Sequence, residues 1–149
     1  MKKVKITNAI LCEHVAQGAN NKHILINTYS GDIVVETLPA QIMFGVYIEV
    51  ELPIAGVKEL ELEISYGGKV QVGARAAMGA NKGGERGILA IPLIPMSLTG
   101  PGTLEIHISS VDFGRTLAIR KSITQGDTSK FSTVTRRPSG RSRSASRAS

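Results

Sequence analysis

The chain has no tryptophan, one cysteine, and only three tyrosines and three phenylalanines among 149 residues. With so few aromatics, the core must come from Ile, Val and Leu, a bias that favours strands over helices. The single thiol, Cys12, excludes an internal disulfide and leaves no thiol set for a zinc ribbon, in keeping with a reducing compartment. Long apolar runs are also missing. No window reaches the ~18 apolar residues of a membrane helix. At the N-terminus, Ala9 to Leu11 is too short for a signal-peptide core and is ended by Glu13. The expectation is a cytoplasmic protein with no membrane partner.

Charge is unevenly spread. The formal net charge is +6 and the sequence pI is 9.7, yet Lys130, Arg136, Arg137, Arg141, Arg143 and Arg147 face a single acid, Asp127, beyond Gly126. Up to that point basic and acidic residues nearly balance. The Ser/Arg-rich segment offers almost nothing to bury, so it reads as a disordered basic tail, residues 126–149, following a folded domain over residues 1–125.

Within the domain, period-two patterning dominates. Ile42, Phe44, Val46, Ile48, Val50 and Leu52 alternate with Gln41, Met43, Gly45, Tyr47, Glu49 and Glu51, which predicts a strand with one buried face. Leu60, Leu62, Ile64 and Tyr66 alternate with Glu59, Glu61, Glu63 and Ser65. After Gly67-Gly68 the pattern resumes with Val70, Val72 and Ala74 against Lys69, Gln71 and Arg75. Two glycines between alternating runs predict a tight hairpin, with an acidic strand face beside a basic one.

Thr103 to Ser109 and Leu117 to Ile123 predict a closing hairpin around Val111-Asp112-Phe113-Gly114-Arg115, burying Leu104, Ile106, Ile108, Leu117 and Ile119. Val4 to Cys12, His23 to Tyr29 and Asp32 to Glu36 read as less regular strands. Ile88 to Leu93 reads as one confined to a sheet edge or ending at its prolines, Pro92 and Pro95. Eight or nine short strands and no helix predict an all-β fold, a single antiparallel β-sandwich of the immunoglobulin-like or a related kind.

Chemistry-bearing patterns are weak. The loop from Met78 to Gly87 mixes glycines with Asn81, Lys82 and Arg86. It lacks the Gly-Lys-Ser/Thr order and the helix start of a phosphate loop, so it reads as a loop at one end of the sheets and a candidate ligand or partner contact. Cys12-Glu13-His14 sets thiol and imidazole about 7 Å apart on one strand face, too far for direct proton transfer. A zinc site of Cys12, His14 and His23 would need a hairpin that brings His23 to His14, and the plainer reading is a small buried thiol with two surface imidazoles. The strand glutamates and His107 read as a solvated sheet face. No catalytic residue, metal ligand or cofactor-binding motif is expected, and none of the triad spacings of hydrolases occurs.

The strands together resemble a bacterial and phage β-sandwich domain family with no assigned activity. The resemblance is carried by Ala9-Ile10-Leu11-Cys12-Glu13-His14-Val15, by Lys22 to Tyr29, by Val46 to Pro53, and by the hairpin from Pro101-Gly102-Thr103-Leu104-Glu105-Ile106 through Ser122. It runs over residues 4–124 and implies a sandwich and nothing more.

The functional expectation is a non-enzymatic binding or accessory module that engages a protein partner, or a copy of itself, through loop ends or an edge strand. Two alternatives stand beside it. One is non-specific nucleic-acid binding through the tail arginines Arg136, Arg137, Arg141, Arg143 and Arg147; the other is a virion or assembly component, which fold alone cannot separate from the first.

Overall fold

Because the side chains of a strand alternate between faces, each alternating segment must bury its aliphatic side against another sheet. The computed structural model describes residues 3–127 and realises this with nine strands: β1 (Lys5–Gln17), β2 (His23–Thr28), β3 (Ile33–Val35), β4 (Ala40–Leu52), β5 (Gly56–Tyr66), β6 (Lys69–Ala80), β7 (Glu85–Leu98), β8 (Gly102–Ser110) and β9 (Gly114–Gln125). They form a four-stranded sheet ordered β2-β1-β4-β7 and a five-stranded sheet ordered β3-β9-β8-β5-β6. One apolar core lies between them, with Phe44, Val46, Ile48, Val50 and Leu52 of β4 meeting Leu60, Leu62 and Ile64 of β5 and Leu104, Ile106 and Ile108 of β8. The architecture is the expected sandwich. No described helix is long and apolar enough to cross a membrane.

Not every pairing is antiparallel. β3 runs parallel to β9, Ile33 opposite Ile123; its three residues reach the sheet by a crossover from β2, and a strand that arrives by crossover is free to pair in parallel.

The β5–β6 hairpin turns on Gly67 and Gly68, whose φ values of 61° and 83° glycine adopts at no steric cost. Glu61 meets Arg75 across it at 3.1 Å. Other ion pairs join different strands, Glu63 with Arg115 and Glu105 with Arg120, and Asp112 of the β8–β9 turn reaches Lys58 of β5.

Bulges revise several expectations. A register shift after Ile106 sets Ile119 opposite Ile106 but Leu117 opposite His107. Ile119 is therefore buried, whereas Leu117 is 38% exposed on the outer face. A second shift between Ile64 and Ser65 leaves Val70 55% exposed. β7 is an edge strand, as expected, but it does not stop at its prolines. It continues to Leu98, and the two-residue bulge opposite Gly45 takes up Pro92 and Leu93.

Candidate interaction surface

A sandwich leaves four sheet edges, and each open edge presents unpaired backbone N–H and C=O groups that can template another strand. Three edges here are obstructed. β3 is three residues long. β7 carries Pro92 and Pro95 and a bulge. β6 carries Lys69 and Arg75 and lies beside β7 across a crevice of about 230 Å³ lined by Ala74, Ala76, Ile88 and Ile91. β2 has no such device. His23-Ile24-Leu25-Ile26-Asn27-Thr28 contains no proline and no Lys, Arg, Asp or Glu.

The path of β1 decides how β2 is presented. β1 pairs with β4 as far as Cys12 opposite Gly45, and from there its remaining residues pair only with β2. It then crosses over Gly45. A Cβ at that glycine would lie 2.8 Å from the Val15 nitrogen, 3.0 Å from the His14 carbonyl carbon and 3.0 Å from the Pro92 oxygen. Only a residue without a side chain permits so close an approach of backbones. Val15 and Cys12 are buried by this crossing although neither belongs to the inter-sheet core.

The hairpin thus has two unlike faces. In the β1–β2 register Leu25 lies opposite Val15 and His23 opposite Gln17, while Ile26 lies opposite His14 and Ile24 opposite Ala16. The His23 ring packs edge-on against Tyr47 with centroids 5.5 Å apart. Tyr47 alternates with the buried Val46 and Ile48, so it stands on the outer face of the four-stranded sheet, and the His23/Leu25 face of the hairpin lies against it. Ile24 and Ile26 point the other way and are 52% and 41% exposed.

Both ends of β2 are fixed. The turn before it places Asn20 and Asn21 at φ 57° and 59°, a region that asparagine tolerates better than most residues. The Gly18 N–H donates to the Lys22 carbonyl at 2.7 Å and the Lys22 N–H to the Ala19 carbonyl at 3.1 Å. At the other end Asn27 has φ 53°, and its side-chain amide donates to Glu13 Oε1 at 2.7 Å. Beyond it a depression of about 610 Å³ is lined by Thr28, Tyr29, Asp32 and Thr124 among others.

The loop singled out in the sequence is smaller than expected. β6 extends to Ala80 and β7 begins at Glu85, which leaves residues 81–84. The Asn81 N–H donates to the Glu85 carboxylate, and the Gly84 N–H to the Leu52 carbonyl at 2.7 Å. Arg86 is a strand residue opposite Glu51, with its guanidinium 3.8 Å from Glu49. Lys82 is exposed. No hydrogen bond or ion pair joins the three to one another, and the loop is a short strand connection. The tail arginines Arg136, Arg137, Arg141, Arg143 and Arg147 lie outside the described residues.

Cys12, His14 and His23 are not brought together either, because His23 pairs with Gln17 and not with His14. Both imidazoles are half-buried, not fully at the surface. The Cys12 thiol is fully buried and donates to the His14 carbonyl at 3.3 Å, and burial pushes its pKa above the ordinary thiol value. His107 stands on the outer face of the five-stranded sheet as expected, yet its Nδ1 is buried without a hydrogen-bond partner. Desolvation, with help from Arg115, holds its pKa below the ordinary imidazole value. Tyr47 is pushed up by burial and by donating to Glu49 at 3.2 Å.

Ile24 and Ile26 were not singled out by sequence reasoning, although a signal was present. In a half-buried strand only alternate residues are apolar, whereas Ile24, Leu25 and Ile26 run consecutively between polar neighbours. Such a strand has an apolar face left over.

No protein-family model matches the chain, and no curated protein does. Among solved structures, it is similar to the crystal structure of the CARDB domain of the PF1109 protein from Pyrococcus furiosus in complex with di-metal ions, at 12% identity over 64% of this chain and 87% of that one, with a TM-score of 0.40.

Proposed function

We propose that this chain is a non-enzymatic β-sandwich binding module that engages a protein partner by strand addition at β2. The observation that carries the proposal is the unprotected edge: six residues without a charge or a proline, presenting Ile24 and Ile26 to solvent. Folded proteins blunt such edges unless the edge is used. In strand addition, main-chain hydrogen bonds supply affinity and alternate side chains supply specificity, and here those side chains are Ile24 and Ile26.

The test is site-specific photocrosslinking in the native cell. A photoreactive residue at position 24 or 26 is expected to give a discrete crosslinked species, and one at Val57, a still more exposed residue on β5 of the other sheet, is not. Equal crosslinking at all three positions, or none at 24 and 26, overturns the proposal.

A further inference from the structure

Resting on the reading of β2 as a docking edge, we infer that the segment it takes is an antiparallel strand of a different protein with the pattern aliphatic-x-aliphatic-x-acidic. The two aliphatics answer Ile26 and Ile24 in turn, and the acid answers Lys22.

The pattern follows from which side chains share a face. Lys22 directly precedes β2 and has φ −89° and ψ 160°, so extended backbone and its alternation begin one residue before the strand. Lys22, Ile24 and Ile26 therefore project from one face, and all three are exposed. His23 and Leu25 take the other face, where the His23 ring is already seated on Tyr47. Among the described residues no acid pairs with the Lys22 ammonium. The open side of this edge is thus two isoleucines and one unmatched cation at alternate positions.

Residues directly opposite one another on neighbouring strands point to the same face and interact as pairs. An incoming strand must then meet Ile24 and Ile26 with side chains two positions apart, and Lys22 with a third in the same row. Apolar side chains suit the isoleucines. A carboxylate suits the lysine, because opposite charges across a pair stabilise and like charges destabilise. Direction comes from the sheet itself, in which β1–β2, β1–β4 and β4–β7 are all antiparallel, and sheets tend to stay of one kind. Running against β2, the incoming segment passes Ile26 first and Lys22 last, which fixes the order of the pattern. A second copy of β2 does not supply it, because His23–Thr28 contains no acid. Glu13 does not supply it either, since it is bonded to Asn27 and lies on the face of His23 and Leu25.

The test is selection of a random peptide library on the full chain. Enriched peptides are expected to carry aliphatic-x-aliphatic-x-Asp/Glu and to be lost with Ile24→Lys or Ile26→Lys, both at exposed positions. Replacing the acid of an enriched peptide by alanine should weaken binding about twofold to fivefold, the range of an exposed cross-strand ion pair. Lys22→Glu should shift the selected residue at that position to Lys or Arg. Glu13→Gln, which keeps an acceptor for Asn27 and removes a charge from the other face, should not. Peptides that depend on Ile24 and Ile26 but carry no acid, or that keep the same acid against Lys22→Glu, overturn the pattern and leave the docking edge standing. If no peptide depends on Ile24 and Ile26, the pattern is overturned as well, and the edge is judged separately by crosslinking at positions 24 and 26. A crosslinked product of twice the chain mass would give the edge to a second copy and reject the different protein.

Discussion

The amide nitrogen of Val15 lies 2.8 Å from the point that a Cβ on Gly45 would occupy. This approach turns the β1–β2 hairpin onto the outer face of its own sheet. It buries Cys12 and Val15 outside the main core, seats His23 on Tyr47, and leaves Ile24 and Ile26 facing solvent.

Gly45→Ala is accordingly expected to destabilise the protein by ~1–3 kcal/mol, because the added methyl meets backbone atoms on both sides that cannot rotate away. Gly73→Ala is the control. Its Cβ meets nothing within 4 Å, so it should stay within ~0.5 kcal/mol of the parent. Urea denaturation of the three proteins checks this, and equal midpoints would mean that β1 does not cross Gly45 as described.

His107 is expected to make the fold acid-sensitive. Its pKa is held below the ordinary 6.5 first by desolvation and then by Arg115, with Glu105 and Glu63 opposing and Arg120 adding to the lowering. The folded state therefore takes up this proton less readily than the unfolded one. The stability linked to His107 is complete above the ordinary value and is lost as pH falls through it towards the lower folded value. His107→Gln should flatten the drop in urea midpoint between about pH 7 and 5, a window set by the free imidazole value.

Cys12 acts at the other end of the scale. Burial raises its pKa, so its contribution is fully present below the ordinary thiol pKa of ~8.5 and declines as pH rises past that value. Cys12→Ala should reduce the alkaline loss of stability, leaving the later loss from Tyr29 and Tyr47, whose pKa values burial also raises. In the native protein the thiol should react with a thiol reagent far more slowly than in the unfolded chain.

A chain ending at Gly126 is expected to keep the full-length melting temperature, since β9 ends at Gln125 and the Gly126 N–H closes on the Val35 carbonyl. One ending at Gly102 should not fold. It loses Leu104, Ile106, Ile108, Ile119 and Ile123, each contributing ~1.5–3 kcal/mol by burial, against a typical total of ~5–15 kcal/mol. Any retention on heparin should vanish with the tail, because the cations up to Gly126 nearly balance the acids; salt-resistant retention of the shortened chain would move the anion site onto the sandwich.

Alternation alone was enough to place β4, β5 and β8 and to identify their buried sides, because Ile, Val and Leu at every second position leave one register that hides them. Gly67-Gly68 announced its own turn for a comparably local reason. Leu117 and Val70 escaped, since each sits beside a bulge in its own strand, where Ala118 and Gln71 are the extra residues and the alternation of faces is reset. The loop at 79–87 was overestimated because Gly79 and Ala80 continue a strand whose pairing comes from Val57 and Gly56, more than twenty residues away.

What the sequence by itself determined is the set of strands and the composition of the core, both local consequences of a two-residue period and a scarcity of aromatics. It also marked the division of charge between body and tail. Only the tertiary structure decided which strands became edges, that β3 runs parallel to β9, and that β2 is the one edge longer than three residues left uncharged and without proline. Those properties depend on neighbours distant in the chain. An edge is defined by the strand that is missing beside it, and a glycine in the middle of β4 reveals its purpose only when β1 passes over it.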